Sequence, residues 1–260
     1  MRVRNFDGTD DWITCEPGSA DITGAWSMAL LVRPRTIAYR VLYQGHTSSG
    51  GSAGYGFEQR VNGEILLYST GFGERLSPVG YLVAGRWRLV ATTKASGAVA
   101  PHFYSYDFAT GTWLDAASTS TIGNPTALGV GGSVIFGRWE HNWRYDGQIA
   151  AAAVWDEALS FASVRALAAA PALVDWASVS SPNALWLFDR GPESPLQDLV
   201  GGADERAGAS QGTNAVLVDD VPIPYRRATA AVYAGGSWSD RELNVHNGAG
   251  WVPPAEAEMR

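Results

Sequence analysis

The stretch FDGTDDW, residues 6–12, sets three carboxylates, Asp7, Asp10 and Asp11, beside a glycine and two aromatic residues. Such a stretch has three possible readings: a metal site, an acid pair for hydrolysis, or a turn between two strands. Its aromatic-Asp-Gly signature recurs far along the chain in YDGQI, residues 145–149. The two copies predict the edges of one folded unit, in which the Asp-Gly pair turns the chain.

The composition favours strands and narrows the choice of partners. The chain has 260 residues, of which 46% are hydrophobic and 17% charged, and it contains 30 glycines and 11 tryptophans. Glycine-rich turns and aromatic residues are typical of short strands. A formal charge of -7 argues against nucleic acid or an anionic membrane as a partner, because both bind basic surfaces.

The sequence gives no signal for export, membrane insertion or disulfide bonding. No apolar run approaches the roughly 20 residues that cross a bilayer, so no membrane insertion is expected. The start MRVRNFDG lacks the apolar segment of a signal peptide, which predicts a protein made in the cytoplasm without Sec-type export. A single cysteine, Cys15, cannot form an intrachain disulfide.

Most of residues 3–155 is predicted to form short strands separated by turns. Several segments alternate apolar and polar residues, as half-buried antiparallel strands do. The predicted strands are WSMALLVRP (26–34), RVLYQG (40–45), GYGFEQRV (54–61), EILLYST (64–70), RWRLVATTK (86–94), HFYSYDF (102–108), VIFGRW (134–139) and GQIAAAAVWD (147–156). Many short strands with almost no helical period predict an all-β sandwich or barrel.

One short helix is predicted directly after the last of these strands. Ser160 is a suitable N-cap, Val164 and Leu167 lie three residues apart, and Pro171 ends the helix. The helix is rich in alanine and carries an exposed arginine. We expect it to close one end of the sandwich.

The chain is predicted to divide into two parts. Residues 1–225 form the sandwich and its closing segment, which includes the strand ALWLFD (184–189) and a terminal strand. Residues 226–260 form a short β-rich tail, in which 232–238 realigns on 245–251 with valine, glycine and tryptophan in register. This repeat predicts two hairpin-like units. Two units are too few for an independent core, so the tail is expected to pack on its own body or on a neighbour.

Four segments, taken in order, resemble the concanavalin A-like, laminin-G-like jelly-roll domains. They are FDGTDDWIT (6–14), ITGAWSMALLVRPRT (22–36), GRWRLVATTKASGAVAPHFYSYD (85–107) and YDGQIAAAAVWDEALSFASVRALA (145–168). The resemblance covers about two-thirds of the chain, roughly residues 3–170. It implies a jelly-roll β-sandwich with one short helix and a short C-terminal β-rich tail, in which Phe6 and Trp12 face inward.

The tail carries a second resemblance. VYAGGSWSDRELNVHNGAGWV (232–252) resembles the short endings of minor tail proteins from phages of actinobacteria. A composition rich in alanine, glycine and arginine agrees with a high-GC genome. This resemblance implies a component of a phage virion.

The family resemblance also implies a possible structural calcium. Some family members hold the ion between the opening turn and the last strand, which here points to Asp7 and Asp146. Calcium takes six to eight oxygen ligands, and Ala150 and Ala151 stand where the family often has acidic residues. The alternative is that the carboxylates cap backbone N–H groups in Asx turns. No other cofactor is expected.

Catalytic carboxylates are not evident. Hydrolytic relatives of the fold carry Glu-x-Asp-x-x-Glu on one strand, which aligns acid and nucleophile on one face. EQRVNGE (58–64) lacks this pattern, and we interpret its charges as solvent-facing. The chain is therefore predicted not to be an enzyme. The enzymatic alternative is a glycan lyase or glycosidase with a non-standard site, which requires Asp107, Asp115, Glu140 and His141 to converge in a groove.

Two loops are candidates for glycan contact, because sugars bind with an apolar face on an aromatic ring and with polar groups around their hydroxyls. The first is GRWEHNWRYDG (137–147), and the second is YQGHTSSGGSAGYGF (43–57). The alternative for their aromatic residues is core or intersubunit packing. The predicted glycan-binding residues are Trp139, His141, Asn142, Trp143, Arg144 and Tyr145.

These features predict a non-enzymatic structural protein of a phage virion, in the form of a minor tail or tail-tip protein. Its lectin-like domain would attach to a host-surface glycan or serve particle assembly. A capsid-decorating protein of the same fold and a carbohydrate-binding module cut from a larger secreted enzyme are alternatives. Expected partners are other virion proteins and further copies of the chain in a homo-oligomer or multi-copy assembly. The expected location is the virion, at the tail or the capsid surface.

Overall fold

The computed structural model describes residues 3–15, 24–47, 53–69, 73–98, 100–119, 131–138, 143–170, 172–189 and 196–200. Beyond these it describes the backbone of residues 216–218, 229–234, 237–242, 245–246 and 251–252. Within these ranges, no helix is long and apolar enough to cross a membrane.

The described strands number from β1 to β18 in chain order. They are β1 (Val3–Asp7), β2 (Ile13–Cys15), β3 (Trp26–Pro34), β4 (Arg40–Thr47), β5 (Ala53–Gln59), β6 (Ile65–Ser69), β7 (Gly73–Leu76), β8 (Arg88–Lys94), β9 (His102–Asp107), β10 (Thr112–Ala117), β11 (Gly131–Phe136), β12 (Asp146–Trp155), β13 (Ala184–Leu187), β14 (Val216–Val218), β15 (Thr229–Ala234), β16 (Ser237–Glu242), β17 (Val245–His246) and β18 (Trp251–Val252). All eight strands predicted between residues 26 and 156 are present, with ends that shift by a few residues. The prediction missed β7 and β10.

Two antiparallel sheets form a jelly-roll sandwich, as the sequence predicted. The larger sheet runs in the order β10-β9-β8-β3-β12-β1-β14, and β13 also pairs with β12. The smaller sheet runs in the order β2-β11-β4-β5-β6-β7. Because β1 pairs with β12 in the register Asp7↔Asp146, the two copies of the Asp-Gly signature lie directly side by side.

The core between the sheets follows the alternation of strand side chains. On β3, Trp26, Met28 and Leu30 belong to this core, together with Phe6 from β1. Phe6 is fully buried in this core, as predicted, whereas Trp12, which is 8% exposed, does not belong to it and the prediction that it faces inward was wrong. The stretch FDGTDDW therefore contributes Phe6 to the core through β1, which pairs with β12.

A second apolar layer covers the outer face of the larger sheet. Helix α1 (Phe161–Ala169) begins after Ser160, whose side chain accepts the Ser163 amide, and a 3-10 helix (Leu173–Ser178) follows. The buried residues of this layer include Val164, Leu167, Leu173 and Trp176 from the helices, and Ala150, Ala151, Ala153 and Trp155 from β12. The helix therefore covers a sheet face, and the expectation that it closes one end was wrong. The alanines of β12 are the physical reason, because short side chains let a helix approach the sheet.

The tail contains two antiparallel pairs, β15 with β16 and β17 with β18. Val232 lies on β15 and Trp238 on β16, while Val245 lies on β17 and Trp251 on β18. Each repeat therefore places its valine on the first strand and its tryptophan on the second. The two predicted hairpin-like units are confirmed.

Candidate functional site

The first glycan-loop candidate is anchored at one end of the sandwich. The Tyr145 amide donates to the Gly137 carbonyl at 2.8 Å, and the Gly137 amide donates to the Leu42 carbonyl at 3.3 Å. A parallel bridge also joins Arg144 to Val41 at the start of β4. The two ends of the loop are therefore held next to each other against the smaller sheet.

Two guanidinium groups from these loop ends stack on one indole ring. The Cζ of Arg138 lies 4.1 Å from the centre of the Trp12 ring, and the Cζ of Arg144 lies 5.2 Å from it. Contacts of this kind stabilise a cation over the negative face of the ring. Trp12 is thus a platform that holds two arginines.

A second stack lies beside the first. The Trp143 and Tyr39 rings are 5.6 Å apart with an interplanar angle of 35°, and the Cζ of Arg60 lies 4.1 Å from the centre of the Tyr39 ring. Trp143 is 40% exposed. We call the six residues of the two stacks the arginine–aromatic surface: Trp12, Tyr39, Arg60, Arg138, Trp143 and Arg144. The surface combines an exposed indole with three guanidinium groups.

This arrangement changes the predicted set of glycan-binding residues. Trp143 and Arg144 lie on the surface, whereas Tyr145 is fully buried and packs 6.0 Å from Phe6 in the core. Tyr145 cannot contact a ligand from there, so its inclusion was wrong. Three predicted residues, Trp139, His141 and Asn142, lie outside the described residues.

Sequence reasoning missed four members of the surface. Trp12 was assigned to the core alone, Arg60 was dismissed with the charges around it, and Arg138 was quoted but not selected. Tyr39 lies in a connection that no motif marks. Arginine within one or two residues of an aromatic side chain was the available signal at Arg138 and Arg144.

The second loop candidate loses one of its two tyrosines. Tyr43 is 1% exposed, and its ring packs 5.2 Å from Phe136 inside the sandwich. The centre of this loop, residues 48–52, lies outside the described residues. The described part therefore presents no aromatic platform from Tyr43.

The carboxylates of the opening stretch cap the turn. Asp7 Oδ1 accepts the amides of Thr9 at 2.7 Å and Asp10 at 3.2 Å, and Asp11 Oδ2 accepts the Asp7 amide at 2.9 Å. Gly8 has a φ of +77°, and a β-carbon there would lie 2.9 Å from Cβ of Asp146. These contacts agree with the Asx-turn reading of FDGTDDW.

A calcium ion shared by Asp7 and Asp146 does not fit this arrangement. The Asp146 carboxylate is bound by the Arg35 guanidinium and accepts from the Thr36 hydroxyl at 3.2 Å. A bridging cation would have to displace that guanidinium. Ligand atoms of Asp7, Asp10 and Asp11 lie within 4.8 Å of one another, and the three amide bonds of the turn are accepted by the Asp7 and Asp11 carboxylates.

Of the residues named for the enzymatic alternative, the two that the structure describes, Asp107 and Asp115, do not converge. Asp107 is buried, and it is bound by Arg86 at 3.0 Å and Arg88 at 2.9 Å. Burial alone would raise the pKa of Asp107, but the Ala109 amide and the two guanidinium groups hold it below its usual value. Asp115 pairs with His102 and, by strand alternation, projects from the opposite face of the sheet. Glu140 and His141 lie outside the described residues.

Glu58 is buried rather than solvent-facing, which corrects the interpretation of EQRVNGE. It is 4% exposed and is flanked across the sheet by Val41 and Leu66, both of which are also buried. Burial raises the pKa of Glu58 to about 7, which Arg60 opposes and Glu74 reinforces. At 4% exposure, Glu58 presents little of its surface to solvent.

A polar cavity of about 230 Å³ lies beside the Arg35–Asp146 contact, next to β1, β3 and β12 of the larger sheet. It is lined by Asn5, Arg33, Pro34, Arg35, Gly85, Gly147 and Gln148. Arg33 Nε donates to the Gly85 carbonyl at 2.9 Å, and Arg35 donates to Asn5 at 2.8 Å. No aromatic ring lines this cavity, so it offers no platform for a sugar.

The two antiparallel sheets define the fold class, a concanavalin A-like jelly-roll β-sandwich. No protein-family model and no curated protein sequence matches the chain. The comparison with solved structures shows the fold alone, because all the identities quoted below are under 25%.

Three solved structures illustrate this likeness. A Bacteroides ovatus protein described as a "putative carbohydrate binding protein" is 12% identical with a TM-score of 0.52, covering 78% of this chain and 57% of its own. The heptameric SAP-like pentraxin of Limulus polyphemus is 16% identical with a TM-score of 0.47, covering 64% of this chain and 81% of its own. Domains LG4-5 of the mouse laminin alpha1 chain are 14% identical with a TM-score of 0.44, covering 61% of this chain and 43% of theirs. The chain spans less than two-thirds of the Bacteroides and laminin chains.

Proposed function

We propose that this chain is a non-enzymatic carbohydrate-binding module whose ligand lies on the arginine–aromatic surface. The observation that carries the proposal is the exposed Trp143 ring, which is stacked on Tyr39 and flanked by guanidinium groups. A sugar binds by placing its C–H face on such a ring while planar donors hold its hydroxyl groups. The fold class agrees with this role, because a similar sandwich occurs in the Bacteroides ovatus protein described as a "putative carbohydrate binding protein".

The surface is held in place before a ligand arrives, which favours binding. Trp143 packs on Tyr39, and Arg144 reaches Trp12 on the other side of the same short segment. The segment itself is fixed by the Tyr145–Gly137 hydrogen bond and the Arg144–Val41 bridge. A preformed site loses less conformational entropy on binding.

One observation favours a hydrolytic alternative. The Glu58 carboxyl titrates near pH 7, as a general acid does, and Glu74 lies close enough to raise its pKa further. Against this, Glu58 is 4% exposed, and a glycosidase carboxyl must reach the glycosidic oxygen. Release of reducing ends from the bound glycan, abolished by Glu58→Gln, would establish the alternative.

Within this function we propose a place in a phage virion, at the tail, where the module attaches to a host-surface glycan or docks neighbouring proteins. The support is the sequence of residues 232–252, which resembles the short endings of minor tail proteins from phages of actinobacteria. Several copies per particle are expected to act together, since linked weak sites gain avidity. Mass spectrometry of purified particles tests this placement, and absence of the chain from them would refute it.

The binding function is tested by a glycan array probed with the purified full chain, followed by titration of the best ligand against Trp143→Ala. Loss of the indole removes the stacking platform, so affinity should fall by about tenfold or more. Leu199→Ala, which truncates another exposed apolar side chain, is the matched control and should bind normally.

The same titration separates this account from a calcium-dependent lectin. Because the Asp7 and Asp146 carboxylates are occupied by backbone amides and by Arg35, binding should persist in EDTA. Unchanged affinity of Trp143→Ala would remove the surface from the account. Binding that is lost in EDTA and restored by calcium would show that the ion is required.

A further inference from the structure

We infer that the arginine–aromatic surface selects acidic glycans, whose carboxylate or phosphate groups bind the guanidinium groups held over Trp12 and Tyr39. This inference rests on the proposed carbohydrate-binding function and specifies the ligand. Its basis is the arrangement of Arg138, Arg144 and Arg60.

Stacking prepares these arginines for oxyanions. A guanidinium that lies over a ring keeps its N–H donors in its own plane, where they point outward past the edge of the ring. This planar fork matches a carboxylate or a phosphate and can donate two parallel hydrogen bonds. A neutral sugar hydroxyl uses only part of this capacity.

The surface also concentrates like charges. Arg138 and Arg144 share one indole, with Cζ atoms 4.1 and 5.2 Å from its centre. Among the described residues, no carboxylate forms an ion pair with Arg60, Arg138 or Arg144, and an anionic ligand would relieve their mutual repulsion.

Three nearby carboxylates are bound elsewhere, and the buried Glu58 is an acidic group that interacts electrostatically with Arg60. Asp146 is bound to Arg35, Asp7 accepts the amides of Thr9 and Asp10, and Asp11 accepts the Asp7 amide. Asp10 is exposed at the tip of that turn. The chain carries a formal charge of -7, so a local group of three arginines is a departure from its general character.

The test is an array of acidic and neutral polysaccharides, with polygalacturonate, hyaluronate and poly(glycerol phosphate) set against galactan and dextran. The wild-type chain should bind at least one acidic polymer about tenfold or more tightly than any neutral one, and raising the salt should weaken this binding. Comparison of the carboxylate and phosphate polymers identifies which oxyanion is preferred. A uronate ligand should lose binding when its carboxyl groups are reduced to alcohols.

The variants R138Q and R144Q keep much of the side-chain length but remove the charge, and each should weaken acidic-glycan binding by about tenfold. R165Q is the matched control, because Arg165 also stacks on an aromatic ring, Phe161 at 5.8 Å, but on the helix. If R138Q or R144Q unfolds, the salt dependence and the carboxyl-reduced ligand still decide the matter with the wild-type chain. Equal binding of neutral and acidic polymers overturns the inference and leaves the proposed function standing. No binding to any glycan overturns both.

Discussion

At the scale of single residues, Glu58 shows how far a side chain can depart from its sequence context. A glutamate beside Gln59, Arg60 and Asn62 suggests a solvated face, yet its carboxyl is 4% exposed between Val41 and Leu66. Local polarity could not reveal this, because the burial comes from neighbours across the sheet. Burial raises the pKa of Glu58 from its ordinary value of 4.5 to about 7.

This shift predicts a pH-dependent stability. Between pH 4.5 and 7 the folded chain holds a proton on Glu58 that the unfolded chain has lost, so the free energy of unfolding falls as the pH rises. In Glu58→Gln the side chain cannot ionise, so the free energy of unfolding no longer falls with pH at this position. The variant should match the wild type near pH 4 and exceed its stability at pH 8, by at most about 3 kcal/mol.

Urea unfolding at several pH values measures the effect, and Glu64→Gln, at a half-buried glutamate of the same stretch, is the control. A wild-type stability that rises between pH 5 and 7 relative to Glu58→Gln would contradict the raised pKa of this carboxyl.

Other residues were more predictable. Phe6 was placed in the core from the signature alone, and Asp7 was assigned to a turn as one of three readings, whereas the inward placement of Trp12 was wrong. The sequence could not reveal that Trp12 carries two arginines, because Arg138 and Arg144 lie more than 120 positions away. Contacts of that separation depend on the register of β2 with β11.

At the scale of elements, strands that alternate or form long apolar runs were found correctly, while β7 and β10 were missed. The residues of β10 are exposed or half-buried at the edge of the larger sheet, so the strand lacks the apolar alternation that marks the others. The residues of the site were likewise found only where the sequence carries a pattern. The composition of residues 137–147 revealed the candidate loop. Tyr39, between β3 and β4, and Arg60, directly after β5, lie in segments without a motif.

The turn that joins β5 to β6 gives a prediction at this scale. Gly63 has a φ of +74°, and a β-carbon there would lie 2.2 Å from the Leu82 carbonyl oxygen. Gly80 has a similar φ of +79°, but a β-carbon there would meet nothing within 4 Å. Both Gly→Ala changes strain the backbone by about 1–2 kcal/mol. Only Gly63→Ala adds a clash, which should cost a further 1–3 kcal/mol or so.

Chemical denaturation of the two alanine variants checks the comparison. Gly63→Ala should lose clearly more stability than Gly80→Ala. Equal losses would mean that the two turns, joined by the Leu82 amide to the Gly63 carbonyl at 2.8 Å, are not packed as described.

At the scale of the whole molecule, the tryptophan content has a structural explanation. Trp26 and Trp186 fill the core between the sheets, while Trp155 and Trp176 fill the second layer under the helices. Eleven tryptophans are more than one core needs, and this number predicts that some of the rings are exposed or lie between subunits. Two apolar layers on one sheet account for much of it, and Trp143 remains as an exposed ring.

The central claim is that a glycan binds at the arginine–aromatic surface, and the tryptophan indole N–H signals of the ¹⁵N-labelled chain test it most directly. Each signal can be assigned by Trp→Phe substitution, and the best array ligand is then titrated in. The account predicts that the signals of Trp143 and Trp12 shift together with saturation, while those of the buried Trp26, Trp155, Trp176 and Trp186 stay in place. Saturable binding that leaves the Trp143 and Trp12 signals unmoved would contradict it.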